Sequence, residues 1–407
     1  MDQITQSQPN NINNQQMFDQ NKDDRSSDTF CTTIAIVGRP NAGKSTLFNH
    51  IMQQTLSIAT HKVQTTRVSV RGVLNIDQVQ LVFVDTPGMF KPGANKRLEK
   101  YIVNNAYSSL KKINIAILLL DCQELVKLLV AARDQAEERG QSLFAKQSVT
   151  QKQTNDSDSN DEDDYKRIEQ IFDSKEEMAD FIDQNRTIIK QIKQKNHKTN
   201  VLLVLNKIDL LKVDSTFIKN LENIKQYLQK RLNIQSKSDQ NVQHNLKEDL
   251  AADSIAKHQT QELLECIGVS ASSGDGVEAL VAKLTIMAAN YSAPWLFRDG
   301  KHTDMTERTL AEEITREQLY LRLGQELPYA SKVVTDRWVD NQDGTTTIHQ
   351  SIHVLKQSQK AIVVGSNGEM IRYIGQNSRV KIADLLERKV HLFLHVKVKS
   401  DWIDKLR

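Results

Sequence analysis

Eight consecutive residues, Gly38-Arg39-Pro40-Asn41-Ala42-Gly43-Lys44-Ser45, constrain the fold of this 407-residue chain more than any others. They satisfy the pattern G-x4-G-K-[ST], a loop that works only where a buried strand gives way to a helix. The flanks comply: Thr33–Val37 is a β-branched run, and Lys44–Met52 reads as a helix. Glycines let the backbone curl so that successive N–H groups point at a phosphate, and the helix N-terminus adds partial positive charge. The loop and Thr46 are therefore the expected phosphate cradle. Within it, Lys44 neutralises β- and γ-oxygens, and the Ser45 hydroxyl is a Mg²⁺ ligand.

Downstream, Val68–Val73 and Val79–Asp85 read as strands, followed by a helix over Asn95–Leu110. Ile113–Asp121 and Val201–Leu205 are continuous apolar runs, as expected of strands covered on both faces. Ile267–Val269 is another short strand, and Gly276–Ala289 a closing helix. Alternation of this kind predicts an α/β fold with a mostly parallel sheet. Asp85-Thr86-Pro87-Gly88 ends a strand 40 residues after Ser45, where Asp85 would reach the Mg²⁺ and the Gly88 N–H the γ-phosphate. Asn206-Lys207-Ile208-Asp209 ends the next apolar run. Asp209 can accept from guanine N1–H and N2–H₂, an edge adenine does not offer. The Lys207 stem would lie along the base, and Asn206 would brace the loop. In Ser270-Ala271-Ser272 a backbone N–H could meet guanine O6. The expected ligand is a guanine nucleotide, GTP or GDP.

Composition bounds the rest. Charge is nearly balanced, 54 Lys+Arg against 51 Asp+Glu, and hydrophobic residues make up 39 %. That is below the usual apolar share and implies segments outside any core. Residues 1–29 are rich in Asn, Gln and Asp and read as a disordered tail. Two polar insertions, at about 123–174 and 232–261, interrupt the first domain; the former begins as a helix over Leu125–Glu138 and ends in an acidic run. Cys31, Cys122 and Cys266 are odd in number and lack metal spacing, so no disulfide framework or zinc site is expected. The longest apolar run, Ile115–Leu120, is far too short to span a bilayer, and no apolar stretch follows Met1. A cytoplasmic location is expected.

After Tyr291–Asp299 the texture changes. Leu310–Leu327 reads as a helix, Tyr329–Val339 and Thr345–Leu355 as strands, and Lys360–Val364 as an apolar strand entering a Gly365-Ser366-Asn367-Gly368 loop. Helices then run to Arg388, before a strand over Val390–Val398. A G-x-x-G loop opening a helix is the KH arrangement, which clamps single-stranded nucleic acid. Gly365, Ser366, Asn367, Gly368, Ile371 and Arg372 are the expected RNA contacts, with Ile362, Val363, Ile371 and Ile374 lining a groove. From Lys356 to Arg407, 11 Lys/Arg stand against 5 acids. This excess of six exceeds the charge of the whole chain. The expected organisation is a nucleotide domain over 30–292, a linker over 293–309, a small α+β domain over 310–402 and a tail over 403–407. The tryptophans are read as packing residues. His349 and His353, four apart in a strand, do not converge on a metal.

Together, GRPNAGKST, Gln64-Thr65-Thr66-Arg67, DTPG, NKID and SAS, in that order, resemble the translation-factor class of GTPases. With Gly368-Glu-Met-Ile-x-x-Ile-Gly375 and the ending His395-Val-Lys-Val-Lys399, the chain resembles the Era family of bacterial ribosome-assembly GTPases. The likeness covers most of 30–120, 175–230 and 262–402. It implies a P-loop GTPase domain followed by a type II KH domain, GTP hydrolysis, and binding of 16S rRNA in small-subunit (30S) assembly. It also implies a monomer that associates peripherally with the inner face of the membrane. Lys44, Thr65, Thr66, Asp85 and Gly88 are the implied catalytic set, with Mg²⁺ held by Ser45, Thr66 and Asp85. Sequence leaves open whether Thr65 or Thr66 senses the γ-phosphate. Met89 stands where many GTPases carry the water-orienting Gln, so slow intrinsic turnover is implied. Asn41 occupies the position at which related GTPases hold K⁺. The departure is the uncharged Ser366-Asn367 pair, where the family usually carries a Lys. Two other readings fit: a related GTPase acting on the large subunit or on tRNA, and an RNA-binding protein that senses nucleotide without hydrolysing it.

Overall fold

A computed structural model describes residues 29–60, 66–90, 97–138, 169, 176–210, 221–232, 266–324, 327–400 and 402. The amino-terminal tail, most of both insertions, Gln64, Thr65 and the last five residues lie outside them.

The first unit is a six-stranded sheet in the order β2-β3-β1-β4-β5-β6. Its strands are β1 (Phe30–Val37), β2 (Val70–Ile76), β3 (Val79–Asp85), β4 (Ile115–Asp121), β5 (Asn200–Asn206) and β6 (Ile267–Val269). All pairs are parallel except β2 with β3, a hairpin turning at Asp77, whose φ is +50°. Buried on both faces, β4 reads as the uninterrupted apolar run a parallel strand requires. Helices α1 (Lys44–Met52), α2 (Arg97–Ser108), α3 (Cys122–Glu138), α4 (Glu176–Lys195), α5 (Leu221–Leu232) and α6 (Val277–Ala288) accompany the sheet. One core cluster packs α2, α3, α4 and α5 against one face, and another packs α1 and α6 against the other. All three cysteines are buried and unbridged.

Residues 293–309, expected as a linker, lie against the β2–β3 hairpin. The fully buried Gln80 accepts from the N–H groups of Leu296 and Phe297 and donates to the Phe297 carbonyl. His302 accepts from the Val73 N–H, and the Thr303 hydroxyl donates to the Arg71 carbonyl.

The second unit is a three-stranded sheet, β7 (Lys332–Asp340), β8 (Thr346–Val354) and β9 (Val390–Val398), with β7 antiparallel and β9 parallel to the central β8. One face is covered by α7 (Glu307–Arg322), α8 (Gln357–Val364) and α9 (Glu369–Leu386). Two sequence expectations fail here. The helix placed over Leu310–Leu327 is α7, which starts earlier, where Thr306 accepts from the Thr309 N–H, and ends at Arg322 as Leu323 becomes extended. Lys360–Val364, read as a strand, belongs to a helix. The Gln359 side chain accepts from the Leu355 and Lys356 N–H groups just before the first turn and so caps the helix start, against the β-branched composition of the run. The GxxG loop therefore joins two helices. No helix among the described residues is long and apolar enough to cross a membrane.

Candidate nucleotide site and nucleic-acid interface

The phosphate loop is shaped by contacts that exclude side chains. At Gly38, φ is +150° and a Cβ would lie 2.5 Å from the Leu119 carbonyl oxygen. At Gly43, φ is +95° and a Cβ would meet the Asn206 amide at 2.1 Å. Gly88 closes against Pro40, where a Cβ would fall 3.0 Å from the ring. Asn41 adopts a left-handed φ of +64°, a conformation Asn tolerates better than most residues.

Lys44 is buried and its Nζ donates to the Arg39 carbonyl at 2.8 Å. Burial lowers its pKa to about 8, with Asp85 opposing the shift. Phosphates require the charged ammonium and would raise that pKa, so binding couples to proton uptake. GTP affinity is expected to weaken as pH rises past about 8, by at most ten-fold per unit. Calorimetry at pH 8.5 in buffers of different ionisation heat should show uptake of part of a proton, and no uptake contradicts this.

Ser45, Thr66, Ser57 and Asp85 form an oxygen cluster. Ser45 Oγ donates to Asp85 Oδ2 at 2.7 Å and lies 2.9 Å from Thr66 Oγ1. Ser57 Oγ donates to the same carboxylate oxygen at 2.6 Å, and Thr66 Oγ1 at 3.5 Å. Asp85 Oδ1 is buried without a partner. A carboxylate oxygen left unpaired beside hydroxyls is the donor chemistry that a hard divalent cation takes, so Mg²⁺ fits this site. Burial raises the Asp85 pKa, while the serine donors and Lys44 oppose the rise.

Thr86 anchors the turn through its hydroxyl to the Ile36 carbonyl at 2.7 Å. Met89 donates its N–H to the Gly38 carbonyl, and its side chain is buried in the core beside α2. The Arg39 guanidinium pairs with Glu124 of α3.

Asn206 ties two loops together, donating to the Ala42 carbonyl at 2.7 Å and accepting from the Ala271 N–H at 2.9 Å. That N–H is thus not free for guanine O6 in this conformation. Lys207 pairs with Asp121 at 2.5 Å, and the exposed Asp209 accepts from Ser272 Oγ at 3.3 Å. Ser270 is buried, with Oγ 3.1 Å from Ser272 Oγ.

In the second unit, Gly365 has φ +73° and a Cβ there would meet Met370 Cβ at 2.7 Å. Asn367 and Gly368 are also left-handed, at +50° and +75°. This bend exposes Ser366 and Asn367 and starts α9 at Glu369. The groove expectation is only half met. Val363 and Ile374 are buried in the core against Leu319 and Val396, whereas Ile362 is 55 % exposed and Ile371 partly so. Arg372 is exposed. No group of three metal-ligating side chains occurs among the described residues.

Two features escaped the sequence. Ser57 gave no motif signal; it is fixed by Asn49, whose side chain accepts from the Ser57 N–H and donates to its carbonyl. Replacing it by alanine removes one of the bonds that hold Asp85 ionised. In Ser57→Ala the acid limb of Mg²⁺-dependent GTP binding should move to higher pH; an unchanged profile contradicts the role. The second is the surroundings of Arg67, the residue after Thr66. Only 8 % exposed, its guanidinium leaves the nucleotide domain and donates to the carbonyls of Pro328 (3.0 Å), Tyr329 (2.9 Å) and Ser331 (2.8 Å) and to the Tyr320 hydroxyl (3.2 Å). It also lies over Trp402, 5.8 Å from the ring centroid.

Known proteins resemble this chain over most of its length. A family described as a 50S ribosome-binding GTPase matches residues 33–149, and a KH domain matches residues 326–403. GTPase Era of Mesorhizobium japonicum is 35 % identical over 371 residues, covering 91 % of this chain and 89 % of that protein. The chain belongs to the Era family of GTPases. GTPase Era of Caulobacter vibrioides is 34 % identical, covering 94 % of this chain and 95 % of the relative. Among solved structures, Era in complex with MgGDPNP and nucleotides 1506–1542 of 16S ribosomal RNA superposes with a TM-score of 0.62. It has 25 % identity over 93 % of this chain and 96 % of that one. A single-residue variant of Aquifex aeolicus Era bound to GDP.AlF4- gives the same TM-score at 24 % identity, which speaks to fold alone. As an Era-family member the chain is a GTP-binding, GTP-hydrolysing protein that uses Mg²⁺ and carries a C-terminal KH domain.

Proposed function

We propose that this chain is a GTP-timed RNA clamp that binds the 3′ region of 16S rRNA during small-subunit assembly. The observation that carries this reading is Arg67. It follows directly on Thr66, which touches the Ser45–Asp85 cluster, and its side chain is seated in the KH domain. GTP and Mg²⁺ bound by Gly38–Thr46, Asp85–Met89 and Thr66 fix the start of this segment. Arg67 conveys that order to α7 and the turn before β7, and the GxxG segment from Gly365 to Arg372 then engages RNA. Linkage requires RNA to favour the GTP state equally.

Lys44, Thr66, Asp85 and Gly88 stabilise the transferring phosphoryl, with Thr65 alongside. Asn206, Lys207, Asp209 and the Ser270-Ala271 turn select guanine. Met89 has no polar group to orient water, which suits a timer. Asn41 is assigned the K⁺ position, and faster turnover in KCl than in NaCl is expected; equal rates remove it. The functional domains are 30–292 and 310–402, with 293–309 clasped to the first.

Co-sedimentation tests the partner. The chain with GDPNP should travel with small subunits. Migration with large subunits would favour the alternative that the G-domain family description names. Family likeness also suggests a monomer with peripheral contact to the inner membrane face, which fractionation and ultracentrifugation would read.

A further inference from the structure

The KH sheet has a second face that its helices leave bare. Parallel pairing of β8 and β9 sets Thr347 beside His391, His349 beside Phe393, Ser351 beside His395 and His353 beside Lys397. The alternate residues of β8, including Ile348, Ile352 and Val354, are buried under the helices, so this odd-numbered set points the other way. Phe393 is 49 % exposed, and the His349 ring stacks on it at 4.8 Å between centroids and 14° between planes. Arg337 of β7 is registered opposite His349, and Lys332 opposite His353; both cations are exposed. Asp336, at the β7 bulge, is the one carboxylate that the three strands present here, and Ser351 and Lys397 already bind it. A flat aromatic pair bordered by uncommitted cations, with its acid neutralised, matches bases and phosphates in charge and shape. The apolar area is the Phe393 ring with the part-buried Val334 and Val339 of β7, registered opposite Ser351 and Thr347, still too small for a protein interface.

Position supplies the route. As an edge strand, β9 turns Leu394 and Val396 inward beneath α8 and α9, and the Leu394 side chain lies 3.5 Å from where a Gly375 Cβ would stand. One residue along the same strand, Phe393 faces out. A strand held by the GxxG loop need only cross the free edge of β9 to reach it.

We propose that the open face of β7–β9 is a second RNA subsite, in which a base 3′ or 5′ of the clamped segment stacks on Phe393 and His349 while Arg337 and Lys332 meet its phosphates. This rests on the RNA-binding reading above. The test uses the full chain with Mg-GDPNP and two probes: a 12-nucleotide single strand from within nucleotides 1506–1542 of 16S rRNA, and a 4-nucleotide piece of it, the length a GxxG loop clamps. Phe393→Ala should weaken binding of the 12-mer about ten-fold, as expected for one lost stacked base, and leave the 4-mer unchanged. Phe393→Trp should restore the 12-mer. Equal affinity of Phe393→Ala and the parent chain for the 12-mer overturns the subsite. So does an equal loss on both probes, or a dimer in ultracentrifugation that Phe393→Ala abolishes. A parent chain that binds neither probe refutes the RNA reading itself, and the subsite with it.

Discussion

Arg67→Ala should erase the dependence of RNA binding on nucleotide. A coupling free energy of about 1–3 kcal/mol corresponds to roughly 5–150-fold between the GTP and GDP states. With the guanidinium gone, that ratio should fall to within about two-fold of unity. The physical reason lies in its partners. Three backbone carbonyls and a tyrosine hydroxyl in the KH domain receive their hydrogen bonds from a side chain that neighbours the Mg²⁺ cluster. No other described side chain joins the segment around Thr66 to the turn at 327–331 through so many hydrogen bonds. Truncation also takes the guanidinium donors from the buried Ser331 carbonyl and from Pro328 and Tyr329, a loss on the order of 3 kcal/mol that should lower the melting temperature. Arg67→Lys separates the two effects. It keeps the charge and most of the packing, but a single ammonium cannot serve acceptors spread around a planar fork. It should retain the fold and still lose most of the coupling. Fluorescence anisotropy of the 16S fragment with GDPNP and with GDP, for each variant, gives the ratio directly; a full ratio in Arg67→Ala refutes the route.

Asp209→Asn should cost at least about a thousand-fold in GTP affinity. The carboxylate offers two acceptors to guanine N1–H and N2–H₂, and the amide presents a donor against one of them. The variant thus loses a charge-assisted pair and gains a clash of donors, about 4 kcal/mol together. Xanthine carries an oxygen where guanine has the 2-amino group, so xanthosine triphosphate should bind the variant better than GTP does. Competition against a fluorescent nucleotide measures both, and unchanged GTP binding would place the base elsewhere.

The nucleotide domain was legible because its constraints are local. A phosphate loop needs a strand before it and a helix after it, and β1 and α1 lie where the pattern required. The apolar runs that became β4 and β5 carry their burial in their composition. What stayed hidden depends on partners distant in the chain. Ser57 is one serine among many until folding brings it to Asp85. Arg67 was visible as part of a motif, but its socket is built mainly from the carbonyls of Pro328, Tyr329 and Ser331, and backbone oxygens leave no trace in residue identity. Lys360–Val364 reads as a strand because of its β-branched residues, whereas its helix depends on contacts composition does not show: the Gln359 side chain caps its start, and Val363 packs into the core against Leu319 and Val396. The balanced overall charge likewise concealed a basic carboxy-terminal module behind acidic segments elsewhere.

The central claim is that one conformational equilibrium serves both domains. Its most direct measurement is the affinity of the unmodified full chain for GDPNP, with and without a saturating fragment of 16S rRNA spanning nucleotides 1506–1542, alongside the same titration for GDP. RNA should tighten GDPNP binding by the same factor by which GDPNP tightens RNA binding, within the 5–150-fold range of about 1–3 kcal/mol, and should leave GDP nearly untouched. Equal tightening of both nucleotides, or of neither, would contradict the account.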